Sequence, residues 1–340
     1  MTEQNKKDKP VNLTRSVFGA FILMALIIGG SVGWAIARNM ENVQARVTTQ
    51  NYPIRENGYK FIHPLIISGD NSGQNEALKP IKNKIYEGTY ELLNNAKTKT
   101  VSLYLRDLNS GRWAGIQENA IYDSASLLKV PILIAYLKKS ESDHTLFSKK
   151  ILYRGEAQDK KNIEFYTLNP GTEYTVKELI EDMIVKSDNS AKDLLFANLD
   201  PVFKNKVFQD LGLAIPNPDA QYKISPKIYS LFFRLLYNAS YLTRENSEEA
   251  LRLLSESDYK DGLIAGVPPT IAIAHKFGQY NSSVASDTNE WELHDCGIIY
   301  HPDHPYLLCV MTRGENLDDL SKIITTISRI TYEEINNIKL

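Results

Sequence analysis

The sequence predicts an α+β fold, in which a five-stranded antiparallel sheet is flanked by helices, joined to an all-helical lobe and preceded by one N-terminal transmembrane helix. Strand-like runs occur in two blocks, one early and one late in the chain, with helical patterns between and around them. Short turns join neighbouring runs within a block, so antiparallel pairing is the simplest arrangement. A long uncharged stretch near the N-terminus accounts for the transmembrane helix.

That stretch runs from Val17 to Ala37, and its 21 residues suffice to cross a bilayer as a helix. The basic residues before it are Lys6, Lys7, Lys9 and Arg15. Only Arg38 and Arg46 follow closely, so the positive-inside rule places the N-terminus in the cytoplasm and the body of the protein outside. A secretory signal peptide is the alternative, since Ala35-Ile-Ala37 resembles a cleavage site, and the protein is then secreted. Either way the body is exported.

These features divide the chain into four predicted parts. We expect a cytoplasmic tail over residues 1–15 and a signal-anchor helix over 16–37, which contacts the lipid bilayer through 17–37. Polar, turn-rich sequence over 38–77 predicts an extracytoplasmic linker, in which one apolar patch at 61–67 packs on the domain. Residues 78–340 then form the functional domain.

Periodicity predicts the elements of that domain in order. Apolar residues at helical spacing predict a helix over 78–96, and two strand-like runs around Asn109-Ser110-Gly111 predict a hairpin. The all-helical middle comprises the segments 124–140, 175–185 with Thr175 as N-cap, 191–199, 226–237 and 246–255. Three late strands, "TIAIAHKF", "LHDCGIIY" and "PYLLCVMTR", precede a final helix over 317–335.

Composition excludes several classes of function. The net charge is -2 and basic residues are spread along the chain, which argues against nucleic acid as a partner. Six histidines and two cysteines show no metal-binding spacing, so we expect no metal and no cofactor. A four-residue loop "HPDH" places Cys296 opposite Cys309, where either a disulfide or two buried thiols remain possible.

The segment "DSASLLKVPILIAYLKKS" (123–140) carries a serine and a lysine three residues apart at the head of an apolar helix. A helix cap followed by a surface lysine is the ordinary interpretation. Alternatively, Ser126 is a nucleophile and Lys129 its base, because positions i and i+3 share one helix face. Burial disfavours a charged amine and lowers its pKa, which makes it a usable base.

Two further motifs carry candidate residues. Ser187-Asp188-Asn189 lies at a break between helical runs, where it is either a helix-stop and capping cluster or a loop that presents a hydroxyl and an amide to a substrate. In "AHKFG" (274–278), Lys276 ends a strand-like run, either in solvent or in a site, and Gly278 permits close approach of a ligand to the backbone.

The order SxxK, SDN and K-x-G is the signature set of penicillin-recognising serine enzymes. Residues 78–336 thereby resemble the class A β-lactamase-like serine hydrolases, relatives of the D,D-peptidases. The resemblance rests on "SASLLKVPI" (124–132), "MIVKSDNSAKDLL" (183–195) and "IAHKFG" (273–278). It implies a two-lobed fold, which agrees with the strand order, and a β-lactam or peptidoglycan peptide as substrate.

The resemblance also implies a role for each matching residue. Ser126 is then the acylated nucleophile and Lys129 its base. Ser187 passes a proton to the leaving nitrogen, Asn189 binds the substrate amide, and Lys276 supplies positive charge for the substrate carboxylate. The backbone N–H groups of Ser126 and Gln279 form the oxyanion hole. These roles meet the needs of acyl transfer.

Two departures from the family pattern change the expected chemistry. Phe277 stands where the family has Thr or Ser, which removes a hydroxyl that binds the substrate carboxylate; Ser282 and Ser283 are possible substitutes. The family's deacylating glutamate, in a Glu-x-x-Leu-Asn context, has no counterpart among Glu245, Glu248, Glu249 and Glu256, and Asp219 is the only acid in the corresponding loop.

We therefore expect acylation of Ser126 with slow loss of the acyl group. A β-lactamase and a D,D-peptidase or penicillin-binding protein both fit this expectation. A non-catalytic protein that senses or binds cell-wall fragments is favoured by the two departures and disfavoured by the intact Ser126, Lys129 and Ser187. A serine hydrolase of another ester or amide, with a more apolar pocket, is a further alternative.

Overall fold

The five-stranded antiparallel sheet that the sequence predicts is present at the centre of the domain. A computed structural model of the chain describes residues 54–67, 78–95, 98–155, 165, 167–213, 222–281 and 290–337. The strands of the sheet are β3 (Thr98–Asp107), β4 (Trp113–Ile116), β9 (Ile273–Asn281), β10 (Trp291–Ile299) and β11 (Tyr306–Gly314). Their spatial order is β4-β3-β11-β10-β9, with every neighbouring pair antiparallel, so both ends of the chain contribute and β9 forms an edge.

Three two-stranded pairs complete the strands of the described segments. Strand β1 (Ile54–Arg55) pairs with β2 (Leu65–Ile67) ahead of the domain. The other two pairs lie in the helical lobe. Strand β5 (Tyr122–Asp123) pairs with β8 (Lys223–Ile224), which is distant in the chain, and β6 (Lys150–Leu152) pairs with the next strand, β7 (Glu173–Thr175). These short pairs carry too few residues for periodicity to predict them.

Eight α-helices surround the sheet in the described segments. They are α1 (Lys79–Asn95), α2 (Lys129–Ser140), α3 (Val176–Val185), α4 (Asn189–Asn198), α5 (Pro201–Asp210), α6 (Pro226–Tyr237), α7 (Arg244–Ser255) and α8 (Leu317–Asn337). Each predicted helix lies within a few residues of its observed bounds. Helix α5 was not predicted, although Asp200 caps it and Pro201 begins it, as is usual at helix N-termini.

Two buried clusters cover the two faces of the sheet. Strand residues such as Leu103 and Leu105 pack with the terminal helices α1 and α8, whereas Tyr104 between them packs with the helical lobe, as the period of two requires. Gly88 of α1 lies against Ile330 of α8, where an added Cβ would come within 2.3 Å of the isoleucine Cδ1. Its lack of a side chain therefore permits the two terminal helices to approach closely.

Caps and turns explain where two helices of the lobe begin. Thr175 forms a capping box with Glu178 at the start of α3, as predicted. Pro131 is the third residue of α2, because residues 125–128 form a 3-10 turn and the α-helix begins only at Lys129. A proline is tolerated there, since N–H groups of a first turn have no partner within the helix.

The part of the predicted linker that the structure describes, residues 54–67, packs on the domain. Phe61 and Ile62 are buried in the core of the helical lobe, as the apolar patch predicted. The backbone N–H groups of residues 60–62 donate to the carboxylate of Glu248 on α7, at 2.9–3.1 Å. This carboxylate fixes the N-terminal segment to the lobe.

Cys296 and Cys309, left open between a disulfide and two thiols, are joined by a disulfide between the paired strands β10 and β11. Their register is the one that the four-residue loop predicted. The predicted anchor helix at 17–37 lies outside the described residues. Within the described segments, no helix combines the length and the apolar character needed to cross a membrane.

Candidate active site

The predicted nucleophile and base lie together at the start of α2. Ser126 is half-buried on the 3-10 turn, and the Nζ atom of Lys129 lies 2.9 Å from its Oγ. Ala125 adopts a positive φ of 45°, a conformation that L-residues rarely adopt and that often marks a functional turn. The turn thus presents the hydroxyl toward the lysine instead of using it as a helix cap.

Lys129 is fully buried and surrounded by oxygen atoms. Besides Ser126, its amine donates to the backbone carbonyl and the Oγ of Ser187 and to Oδ1 of Asn189, at 3.0 Å and 2.8 Å for the side-chain atoms. Burial lowers the pKa of Lys129 well below its ordinary value, and the nearby charges of Lys276 and Lys192 lower it further. A larger fraction of this amine is therefore neutral at neutral pH than of an exposed lysine.

Ser187 sits at the break between α3 and α4, in the left-handed region with φ of 56°. Its buried hydroxyl lies between two amines, 3.0 Å from Nζ of Lys129 and 2.9 Å from Nζ of Lys276. The structure confirms the capping interpretation of the SDN motif, and the presentation of its hydroxyl and amide to a substrate stays a prediction. Asp188 caps α4 by accepting from the N–H of Ala191, while Ser187 and Asn189 face the lysine.

Asp188 also has a role that sequence reasoning missed. Its second carboxylate oxygen accepts from the backbone N–H of Thr167, which fixes an adjoining loop of the helical lobe against the SDN turn. Because the carboxylate is fully buried and satisfied by two backbone donors, it acts as a structural anchor. Its capping position is the only sequence signal that points to this role.

Lys276 lies on the edge strand β9 and is fully buried rather than in solvent. Its Nζ donates to Oγ of Ser187 and, at 3.1 Å, to the backbone carbonyl of Phe277. The aromatic ring of Phe277 covers the amine, with its centroid 4.3 Å from Nζ. Burial lowers the pKa of Lys276 to about 7, against a smaller opposing effect of Asp295.

Gly278 faces the nucleophile turn at close range. A Cβ atom at this position would lie 3.2 Å from the backbone nitrogens of both Ser126 and Leu127. The absence of a side chain therefore keeps the strand backbone close to the nucleophile. Gln279 follows on the same edge strand and is half-buried. An edge strand has backbone N–H groups that no neighbouring strand uses, which suits the predicted oxyanion hole.

A polar network behind the nucleophile turn was not predicted. Glu292 of β10 accepts from the backbone N–H of Asp123 at 2.7 Å and pairs with Arg313 of β11. His294 contacts the backbone carbonyl of Asp123 at 3.0 Å, and Asp123 accepts from the N–H of Ala125 at 3.1 Å. These contacts attach the turn that carries Ser126 to the sheet.

The structure shows no carboxylate hydrogen-bonded to Ser126 or Lys129 among the residues it describes. The glutamates weighed in the sequence all lie on α7 or at its end, where Glu248 binds the N-terminal segment and Glu249 and Glu256 bind Arg252. Asp219, Ser282 and Ser283 lie outside the described residues. The seven predicted site residues, by contrast, lie together, although they come from three separate segments, 126–129, 187–189 and 276–279. Their chemical roles stay predictions.

The family model described as "Beta-lactamase enzyme family" matches residues 84–335. No curated protein sequence matches the chain.

Solved structures share the fold at low sequence identity. PBP-A superposes with a TM-score of 0.64 at 21% identity, over 79% of this chain and 100% of that one. A β-lactamase from Xanthomonas campestris pv. campestris gives 0.61 at 18% identity, over 75% and 98%. A class A β-lactamase from Mycobacterium abscessus gives 0.61 at 20% identity, over 74% and 99%.

Proposed function

This chain belongs to the beta-lactamase enzyme family and is a serine hydrolase of amide bonds, and from that premise we propose that β-lactams or D-Ala-D-Ala-like cell-wall peptides acylate Ser126. The observation that carries the proposal is the 2.9 Å contact between Oγ of Ser126 and the buried amine of Lys129. A neutral amine at hydrogen-bond distance is what a serine needs in order to lose its proton during attack. A related structure, a point mutant of PBP-A, is described as an acyl-enzyme complex with penicillin G.

The proposed acylation uses the two motifs that flank the nucleophile. Oγ of Ser126 attacks the amide carbonyl while Lys129 takes its proton. The oxyanion is stabilised by the backbone N–H groups of Ser126 and Gln279, which the missing side chain of Gly278 keeps close together. Lys129 then returns the proton through the hydroxyl of Ser187 to the leaving nitrogen, a path supported by the 3.0 Å contact between them.

Loss of the acyl group is proposed to be slow. General-base activation of water contributes roughly 10²- to 10⁴-fold to a hydrolytic step. The described part of the site provides no carboxylate hydrogen-bonded to Ser126 or Lys129 for this purpose. The acyl-enzyme therefore accumulates, or the acyl group passes to an acceptor other than water.

Export and anchoring complete the proposal. We place the domain outside the cytoplasmic membrane, held by the helix over 17–37 or, alternatively, released after cleavage there. The disulfide between Cys296 and Cys309 supports this compartment, because structural disulfides persist in oxidising surroundings.

Intact-mass measurement of a purified variant that starts at about residue 50 tests acylation. The protein is pulsed with excess benzylpenicillin, and we expect an adduct of the full mass of the β-lactam that persists after its removal. Ser126→Ala should form no adduct, and Ser142→Ala, at an exposed serine, should behave as the unaltered protein. Absence of any adduct together with no consumption of β-lactam would overturn the proposal, whereas rapid consumption without an adduct would overturn slow deacylation.

A D,D-peptidase is the second candidate within the same chemistry, favoured because no carboxylate of the described residues is hydrogen-bonded to Ser126 or Lys129. Assays of a D-Ala-D-Ala peptide, with and without an amine acceptor, separate a β-lactamase from a D,D-peptidase. A D,D-peptidase releases D-Ala from the peptide faster than it turns over β-lactam. The non-catalytic binding protein that the sequence left open is disfavoured by the match to an enzyme family. It predicts binding of cell-wall fragments without release of D-Ala and without an adduct on Ser126.

A further inference from the structure

A cavity of about 660 Å³ lies directly beside the nucleophile site. Phe277 and Gln279 of the edge strand form part of its wall, so the cavity begins at the strand that carries the predicted oxyanion donor. Val185 at the end of α3 and the following Lys186 also line it. Neither Ser126 nor Lys129 lines it, so it extends the site in one direction instead of containing the nucleophile.

The position of Ser187 fixes which part of a substrate points into this cavity. Ser187 follows Val185 and Lys186 in the chain, and its hydroxyl binds Lys276, whose amine lies under the ring of Phe277. In the proposed reaction this hydroxyl delivers a proton to the leaving nitrogen. A leaving group that starts beside Ser187 therefore continues past Phe277 into the cavity.

Three aromatic rings define the wall at this point. The ring of Phe277 stacks on that of Tyr259, with centroids 4.0 Å apart and planes within 14°. The ring centroid of Phe165 lies 6.2 Å from that of Phe277, with the two planes tilted by 50°. Neighbouring residues hold the ring of Phe277, so the ring is a fixed part of the wall. Phe277 stands where the family has a hydroxyl residue, and the packing of its ring compensates for the loss of that hydroxyl.

The charges around the cavity disfavour an anionic group. Lys276 is enclosed beneath Phe277 and directs its amine at Ser187 and a backbone carbonyl. Of the two lysines on the wall, Lys186 is paired with Asp182 at 2.6 Å, and Lys260 donates to the carbonyl of Ser257 at 2.6 Å. Three aspartates face the same cavity: Asp258, Asp261 and Asp318. Among the described residues of the wall, the three aspartates outnumber the two lysines, so a carboxylate that enters the cavity meets a net negative charge.

We propose that this cavity is the leaving-group subsite and that it selects amides whose leaving group continues as an uncharged apolar or aromatic segment, rather than one that ends in a carboxylate. The inference rests on the proposed acylation of Ser126. The enzyme then cleaves within a longer chain or releases a capped group. β-Lactams and peptides that end in D-Ala-D-Ala both carry a carboxylate on the leaving side and react as poor analogues.

Two thioesters with the same N-acyl-D-alanyl group test the subsite. One releases mercaptoacetate, which carries a carboxylate, and the other releases its neutral benzylamide. In each case Oγ of Ser126 bonds to the carbonyl carbon, the carbon–sulfur bond breaks, and the departing sulfur takes the proton that Ser126 gave up. The released thiol is titrated to give kcat/KM, and intact mass reports the acyl-enzyme.

We expect the unaltered protein to prefer the neutral thioester by about tenfold or more. Phe277→Thr uncovers the amine of Lys276 and restores a hydroxyl, so the preference should move toward the carboxylate by a similar factor. Val202→Thr, at an exposed apolar residue that does not line the cavity, is the matched control and should leave the ratio of the two kcat/KM values unchanged.

The outcomes separate this inference from the proposed function. If both thioesters acylate Ser126 and the carboxylate one is equal or preferred in the unaltered protein, the subsite assignment is wrong and acylation stands. If Phe277→Thr and Val202→Thr change the ratio equally, the role of Phe277 is wrong. If neither thioester nor benzylpenicillin acylates Ser126, the proposed function itself fails.

Discussion

Lys129 and Ser187 are 58 positions apart in the chain, yet Nζ of the lysine lies 3.0 Å from Oγ of the serine. The same hydroxyl accepts from Lys276 at 2.9 Å, so one buried serine connects two buried amines. Burial lowers the pKa of both lysines. The two amines therefore share one hydroxyl through which a proton can pass, and their protonation states depend on each other.

Replacement of Lys129, the proposed base, should slow the reaction without destabilising the fold. Lys129→Met is expected to slow acylation of Ser126 by about 100-fold or more, because general-base catalysis contributes 10²–10⁴-fold. Lys129→Arg should be equally slow, since a guanidinium keeps the charge and never becomes a neutral base. The acylation rate with excess β-lactam, followed by intact mass, measures both.

The exposed Lys177 provides the control for these variants. Lys177→Met should acylate as fast as the unaltered protein. Lys129→Met should also remain folded, with a free energy of unfolding equal to or above that of the unaltered protein, because a buried amine is replaced by an apolar chain of similar length. Rapid acylation of Lys129→Arg would contradict the assignment of Lys129 as base.

The pH dependence of acylation follows from the lowered pKa of Lys129. The rate should rise with pH as the amine loses its proton, with a midpoint below the ordinary lysine value of 10.5. Lys276 contributes to the lowering by its charge, so Lys276→Met should raise the pKa of Lys129 and move the midpoint to higher pH. A midpoint unchanged by Lys276→Met would show that the two amines do not interact.

Stability should depend on pH through Lys276 as well. Its pKa is about 7 in the fold and 10.5 when unfolded, so between these values the unfolded chain binds more protons and the free energy of unfolding rises with pH. The rise from this residue between pH 7 and pH 9 is about 2 kcal/mol, and the stabilisation is lost as the pH falls toward 7.

Urea unfolding of the unaltered protein and of Lys276→Met at both pH values isolates this contribution. The other titrating groups are common to the two proteins and cancel in the comparison. We expect the variant to show a smaller rise between pH 7 and pH 9. An equal rise in both proteins would mean that Lys276 titrates alike in the folded and unfolded states.

Glu248 should stabilise the protein through the N-terminal segment. Its carboxylate accepts from the backbone N–H groups of residues 60–62. Glu248→Gln leaves one of these donors facing an amide NH₂ group, so we expect a loss of about 1–2 kcal/mol in the free energy of unfolding. Urea denaturation measures it.

The neighbouring Glu249→Gln is a matched control for this change. Glu249 forms a surface ion pair with Arg252, and such pairs contribute less than about 1 kcal/mol. Protection of the amides of residues 60–62 from hydrogen exchange should fall in Glu248→Gln and remain in Glu249→Gln. Equal protection in the two variants would show that Glu248 does not hold the segment.

The disulfide should be complete in protein made outside the reducing cytoplasm. Denatured but unreduced protein is then expected to have no thiol that reacts with an alkylating reagent. Cys296→Ala combined with Cys309→Ala should lower the free energy of unfolding by about 3 kcal/mol, since the bond closes a loop with a sequence separation of 13. Alkylation of two cysteines in the denatured, unreduced protein would contradict the bond.

Local sequence determined most of the framework. The strand-like runs early and late in the chain predicted the five-stranded sheet, and the four-residue loop between two of them predicted that Cys296 faces Cys309. Capping chemistry placed the start of α3 at Thr175. Helix α5 was not predicted. Its apolar residue Val202 is strongly exposed, so the apolar residues of this helix do not define the single face on which a helix prediction depends.

The sequence also determined which residues meet at the site, because three motifs in a fixed order resemble those of one family. Only the tertiary structure decided their environment. The contact of Lys276 with Ser187, the stack of Phe277 on Tyr259 and the anchor of the nucleophile turn on Glu292 all join residues that are well separated in the chain. Periodicity and turn chemistry act over a few residues, whereas burial, pKa and cavity shape depend on which distant segments pack together.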